Sequence, residues 1–189
     1  GTGDPYTYQL QKKMKELARD FEKALIAGTT ASGSSGVSRR LNGAIALITT
    51  NKTARSSGTS LSETEFNDIL QGIYDSGTDV SVDKAFTGAS LKRVITGYTA
   101  GSTKFTQASG DKLSNTFSVY ESDFGVVTIY LEREVPTTAG NKGILLVDSS
   151  KWKVAYLTDG RPQHIPLATV GSAKRGMLEA ELTLEALNE

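Results

Sequence analysis

Residues 121–131, ESDFGVVTIYL, contain the tripeptide Asp123-Phe124-Gly125. In a protein kinase such a triplet sets a carboxylate on the magnesium that bridges the phosphates of ATP. That chemistry also needs a G-x-G-x-x-G loop, a strand lysine and a histidine–arginine–aspartate loop, and the sequence contains neither the glycine motif nor the histidine–arginine–aspartate string. Its single histidine, His164, stands in RPQHIP between two prolines, and 189 residues leave no room for two kinase lobes. A geometric role is sufficient. Asp is favoured early in a tight turn, and glycine where φ must be positive. The triplet therefore reads as the turn of a β-hairpin.

The other residues with chemical potential reduce in the same way. GTTASGSSG (28–36) puts Gly28 and Gly33 at P-loop spacing, but Ser34 occupies the place of the phosphate-binding lysine and the segment leaves a helix instead of a strand. It reads as a flexible linker. Asp79 and Asp83 lack the central glycine and distal glutamate of a calcium loop. His164 has no patterned partner and no metal-ligand spacing, so it reads as a lone loop histidine. KWKVAYL (151–157) interleaves aromatics with lysines, as a strand that stacks nucleic acid would; with no basic excess, a half-buried sheet face is the better reading. Arg39-Arg40 is a solvated pair suited to subunit contacts. No carboxylate pair stands out from solvated helix faces, and G-x-S-x-G and H-E-x-x-H are missing. No catalytic, cofactor-binding or metal-ligating residue is assigned; the expectation is a non-enzymatic protein without a cofactor.

Composition agrees with a building block. Lys plus Arg equals Asp plus Glu at 21 each, which argues against nonspecific binding to nucleic acid or membranes, since both need a basic excess. With 38% apolar and 22% charged residues the chain is ordinary for a globular protein. The sequence has no cysteine, so disulfides, thiolate catalysis and cysteine-ligated zinc are excluded. There is no apolar run of 18 residues and no signal-peptide pattern.

The elements that position these residues form an α+β pattern. Asp4-Pro5 is a helix start, and Leu10, Met14, Leu17, Phe21 and Leu25 trace one apolar face as far as Gly28. The resulting rod is roughly 35 Å long. AIALITT (44–50) reads as a short buried strand. Ser62 and Glu65 form a capping box, with Leu61 and Phe66 as its hydrophobic staple. That helix should run to about Ser76, with Phe66, Ile69, Leu70 and Ile73 inward. A strand near Val80–Val82 and a helix bearing Leu91, Val94, Ile95 and Tyr98 follow. From Lys112 the period drops to two: Phe117 and Val119, then Val127, Ile129 and Leu131, should face the core. GILLVD (143–148) reads as a buried strand. In MLEAELTLEALNE, Ala, Leu and Glu favour a helix, yet Leu178, Ala180, Leu182, Leu184 and Ala186 alternate with Glu179, Glu181, Thr183 and Glu185. A helix would scatter those leucines around its circumference, so the segment reads as a strand with Leu178, Leu182 and Leu184 inward.

Taken in order, YQLQKKMKELARDFEKALIAG, SRRLNGAIALI, LSETEFNDILQGIYDSG, VYESDFGVVTIYLEREVP, ILLVDSSKWKVAYL and GSAKRGMLEAELTLEALNE resemble tailed-bacteriophage major capsid proteins with the Hong Kong 97-type fold. The resemblance covers nearly the whole chain. It implies a peripheral domain (1–42 and 161–189) built on a spine helix, with the final strand returning along it, and an axial domain (43–160). It also implies a subunit that assembles with copies of itself, as hexamers and pentamers, into the icosahedral head of a tailed phage or prophage. The head would enclose DNA without reading it, in a virion whose subunits are made in the bacterial cytoplasm, with no membrane partner. The shell protein of a cellular nanocompartment shares the fold and is the alternative, followed by an α+β enzyme or small-ligand-binding module.

Members of the family carry an N-terminal arm and extended loop ahead of the spine helix, and neither precedes Asp4-Pro5, so the resemblance implies an N-terminally truncated chain. Stable interfaces bury about 1,200–2,000 Å², and the resemblance implies that a subunit without overlapping arms is expected to fall short of that. The 189-residue chain is expected to be a folded monomer or small ring at micromolar concentration, and a chain restored at its N-terminus to form shells. Light scattering of both checks this; closed shells from the short chain would refute it.

Overall fold

The computed structural model describes residues 4–54, 61–76, 81–98, 119–138, 141–158 and 160–187. The chain is α+β and divides into two units, Gly1–Thr49 with Trp152–Glu189, and Thr50–Lys151.

In the first unit, α1 (Pro5–Ala27) begins where the Asp4 carboxylate accepts the N–H of Tyr6 at 3.2 Å and ends at Gly28, which is extended (φ −60°, ψ 142°). None of its residues is buried; Leu10, Leu17, Phe21 and Leu25 are half-buried and Met14 is 53% exposed. Residues 28–43 are more structured than a flexible linker. Antiparallel bridges join Ala31 to Arg40 and Ser34 to Val37, around Gly33 and Gly36 at positive φ. The strand expected over 44–50 is instead a single helical turn, α2 (Ala44–Leu47). The Gly43 carbonyl accepts the N–H groups of Ala46 and Leu47, at 3.0 Å each. A short apolar run does not distinguish strand from buried helix by period.

The second unit is built on a four-stranded sheet. Helix α3 (Glu63–Asp75) opens on the expected capping box, with Ser62 N–H donating to Glu65 at 2.8 Å and Glu65 N–H to Ser62 Oγ at 3.3 Å. Leu61 and Phe66 are both buried. The strand expected at Val80–Val82 lies later, at β1 (Lys84–Thr87). Val80 is outside the described residues, and Val82 packs at the margin of the core. Helix α4 (Ala89–Tyr98) then leads toward a hairpin of β2 (Val119–Ser122) and β3 (Gly125–Leu131); Phe117 lies outside the described residues. After the short β4 (Thr137–Thr138) and β5 (Asn141–Lys142) comes β6 (Ile144–Val147). The order is β2-β3-β1-β6, with β1 parallel to β3 and antiparallel to β6. One sheet face, through Ala85, Tyr120, Val127 and Ile129, packs with Leu61, Phe66, Leu70 and Ile95. Phe66 is fully buried and meets the Tyr120 ring edge-on at 5.1 Å. The expected inward alternation fails at both ends: on β2 Val119 is 48% exposed and Tyr120 turns inward in its place, and on β3 the run ends at Ile129. Leu131, at the last pair of the β1–β3 ladder, is 62% exposed, while Glu132 turns in and accepts the N–H of Glu134 at 3.1 Å.

The remaining strands return to the first unit. β7 (Trp152–Tyr156) pairs antiparallel with β10 (Leu182–Ala186), and β8 (Gln163–Val170) with β9 (Ala173–Glu179). The C-terminal segment is strand, as its alternation required. Leu178, Leu182 and Leu184 are half-buried; Glu179, Glu181 and Glu185 are exposed. It is not one strand returning along the helix, however. The chain breaks at Ala180–Glu181, where Glu181 exchanges backbone hydrogen bonds with Leu157 and Gly160. β9 then belongs beside α1, and β10 beside β7.

Two aspartates fasten the end of the β1–β6 pair. Asp83 accepts the N–H of Ser149 at 2.7 Å and its hydroxyl at 2.6 Å. Asp148 accepts the N–H of Ser81 at 3.2 Å and both donors of Ser150. Partial burial opposes the charge on Asp83, but the Ser149 donors and Lys84 outweigh it and hold the carboxyl below its ordinary value. The Ser150 hydroxyl is the main cause of the same shift at Asp148. Groups depressed by folding stabilise the folded state above their unfolded pKa and cease to do so as pH falls through the folded value. Resistance to urea should therefore hold between neutral pH and pH 5 and decline below about pH 4. The Asp83→Asn/Asp148→Asn double variant should show a shallower acid decline, which pH-dependent denaturation measures.

Candidate assembly surfaces

The Asp123-Phe124-Gly125 triplet closes the β2–β3 hairpin. Ser122 opposes Gly125 in the ladder, Asp123 and Phe124 form the two-residue turn, and Gly125 has φ +131°. Ser122 Oγ accepts the Phe124 N–H at 3.3 Å and donates to the Gly125 carbonyl at 3.0 Å. The Phe124 ring lies 5.8 Å from that of Tyr74, tying the turn to α3. Each of the three residues has a geometric task.

His164 is not in a loop but on β8, and its Nε2 lies 2.7 Å from the Tyr6 hydroxyl of α1. Their rings meet at 66° with centroids 5.9 Å apart. Gly176, opposite Pro166 in the β8–β9 ladder, faces this contact, and a Cβ there would occupy the space of the Tyr6 hydroxyl and His164 Nε2. An open cleft between α1 and the hairpin, about 490 Å³, has Leu10, Leu17 and Leu178 in its lining and Lys13, Glu16 and Asp20 among its charges. Lys13 and Glu16 pair at 2.6 Å on the helix surface.

On β7 the aromatics and lysines separate. Trp152, Val154 and Tyr156 stand opposite Ala186, Leu184 and Leu182, and Lys153 stands opposite Glu185 on the other face. The strand is thus one half of an apolar sheet face, although Val154 and Tyr156 remain 41% and 44% exposed. Gly28 precedes the bridged loop after α1 and Gly33 lies within it, and Arg39 and Arg40 are both exposed there. Asp83 is occupied by Ser149, and Asp79 lies outside the described residues. Among the described residues no cluster of three or more His, Asp or Glu could hold a metal ion, and no helix is long and apolar enough to cross a membrane.

What the described surface does present is apolar area on regular elements. Tyr8 and Met14 on α1, Val119, Val126 and Tyr130 on the sheet face opposite the helices, and Leu167 and Met177 on the β8–β9 hairpin are all more than 40% exposed. Larger exposed apolar patches mark sites of protein association. The family model described as SU10 major capsid protein matches residues 1–189. The chain belongs to the SU10 major capsid protein family. No curated protein sequence matches it. A major capsid protein is a structural subunit of the virion, placed among copies of itself in the phage shell, and exposed apolar faces on otherwise satisfied elements are what such a subunit needs.

The sequence pattern does not mark the β8–β9 hairpin as a surface. Its signal was faint: Ile165, Leu167 and Met177 lie at period two, but Pro166 and two further glycines interrupt the run. For the triplet the expectation is sharp. Asp123→Asn should leave the fold and assembly of this capsid protein unchanged, whereas Gly125→Val, forced to hold φ +131°, should lose about 1–3 kcal/mol. Thermal denaturation measures both, and millimolar magnesium–ATP should not raise the melting temperature; a clear rise would indicate a nucleotide site.

Proposed function

We propose that this chain is the self-assembling subunit of a tailed-phage or prophage head with the Hong Kong 97-type fold. One observation carries the reading: the family match extends over all 189 residues, across both structural units. Residues 1–42 and 161–189 form the peripheral domain, with α1 as its spine, and residues 43–160 the axial domain. The mechanism is geometric. One subunit repeated through heterologous contacts closes into pentamers and hexamers, and small shifts between neighbours set the curvature of an icosahedral shell. The shell contains DNA without reading its sequence, a role supported by the balance of 21 cationic and 21 acidic residues. Synthesis takes place in the bacterial cytoplasm, and no enzymatic step, cofactor or membrane is required of the subunit.

Electron microscopy of the protein expressed at its full natural length tests the proposal. Closed shells of uniform diameter are the expected outcome. A preparation that stays monodisperse and small at high concentration, in the presence and absence of DNA, would overturn it.

A further inference from the structure

Strands β8 and β9 make a hairpin whose two faces differ in what they meet. Residues directly opposite in an antiparallel ladder share a face, and faces alternate along each strand. The ladder pairs Gln163 with Glu179, Ile165 with Met177 and Leu167 with Arg175; the intervening pairs are His164 with Leu178 and Pro166 with Gly176. The second set faces α1, as the Tyr6–His164 contact shows. The first set faces away. There Leu167 is 45% and Met177 41% exposed, Ile165 is half-buried, and Arg175 and Glu179 are exposed. A two-stranded hairpin is marginal in water unless a face is covered, and on this one α1 covers the opposite side.

We propose that this outer face docks on the same face of a second copy of the chain, across a two-fold axis passing near Met177. The proposal deepens the shell-subunit reading and rests on it. The charge order supports it. Arg175 and Glu179 lie two residues to either side of Met177 on one strand, about 14 Å apart. Two such strands laid face to face and antiparallel bring Arg175 of each copy over Glu179 of the other. Ile165, Leu167 and Met177 then fill the centre. A parallel arrangement would oppose like charges. Both arrangements are two-fold; the charge order selects the axis perpendicular to the strands over the one along them, and the contact is isologous. A face about 25 Å long and 10 Å wide buries far less than the 1,200 Å² of a stable dimer. It is one weak contact among several, as a shell with many simultaneous contacts requires.

The chain has no native cysteine, so single cysteines report cleanly. Met177→Cys should be joined to its counterpart by a short bis-maleimide in assembled particles. Ser172→Cys, at the hairpin turn, lies about 17 Å from Met177 along the strand and should not react across copies. Arg175→Glu alone and Glu179→Arg alone should each lower the Met177→Cys cross-link by roughly tenfold, and the two together should restore it. Equal cross-linking at 172 and 177, none at 177, or no rescue by the charge exchange would overturn the proposal. If these occur in particles that still close, the shell reading stands and this face is wrong. If the protein at its full natural length forms no particles, that reading falls, and the same cross-link on the unassembled chain at its highest attainable concentration decides the face.

Discussion

A 23-residue helix that fully buries none of its residues is held only weakly by hydrophobic packing within its own unit. Burying a large apolar side chain contributes about 1.5–3 kcal/mol, and half-burial only a part of that. Helix α1 offers Leu10, Leu17, Phe21 and Leu25 at half-burial, and the unit it opens has Ala44 as its buried apolar residue among those described. The Thr50–Lys151 unit is the reverse case: Phe66, Val127 and Ile129 are almost wholly enclosed by helices and sheet. One unit closes its core alone, and the other leaves apolar area for neighbours. A subunit of a shell needs that asymmetry, because area fully buried within the chain is lost to assembly.

The elements legible in the sequence are those whose signals are local. The capping box at Ser62 and Glu65 fixes the start of α3 with two reciprocal hydrogen bonds. The Asp123-Phe124-Gly125 turn is specified by one positive-φ glycine between two alternating runs. The strand character of the C-terminus follows from its strict period of two, which outweighs the helix propensity of its Leu, Ala and Glu. Failures came where a longer-range partner decides. The helical turn Ala44–Leu47 starts at Gly43, whose N–H donates to the Gly28 carbonyl fifteen residues back at 2.9 Å. β1 is placed at Lys84–Thr87 by its register with β3 and β6, which no window along β1 itself contains. The break between β9 and β10 depends on Gly160 and Leu157, more than twenty residues away in sequence.

The assembly surfaces were hidden for the same reason. Ile165 and Met177 share a face only because a ladder twelve residues apart aligns them, and a one-residue slip would have sent Met177 toward α1. The contact that prevents the slip is visible: Gly176 is the residue beside Tyr6 and His164, and a larger side chain could not take its place there. The only histidine of the chain thus acts as a register pin. Its chemistry is absorbed in orienting a hairpin.

The same absorption runs through other polar groups of the chain. Asp83 and Asp148 hold serine donors at the end of the β1–β6 pair, Lys153 stands opposite Glu185, and the kinase-like triplet makes a turn braced on Tyr74. Polar groups satisfied in place make each unit stiff, since breaking any of them leaves a partner unsatisfied. Stiffness then matters at the level of the shell. A contact too small to hold two copies alone becomes effective when rigid neighbours present it repeatedly at a fixed position, because each further contact forms without new translational cost. A subunit whose polar side chains are spent on its own geometry, and whose apolar faces are left for others, can build a closed particle from contacts that are individually weak.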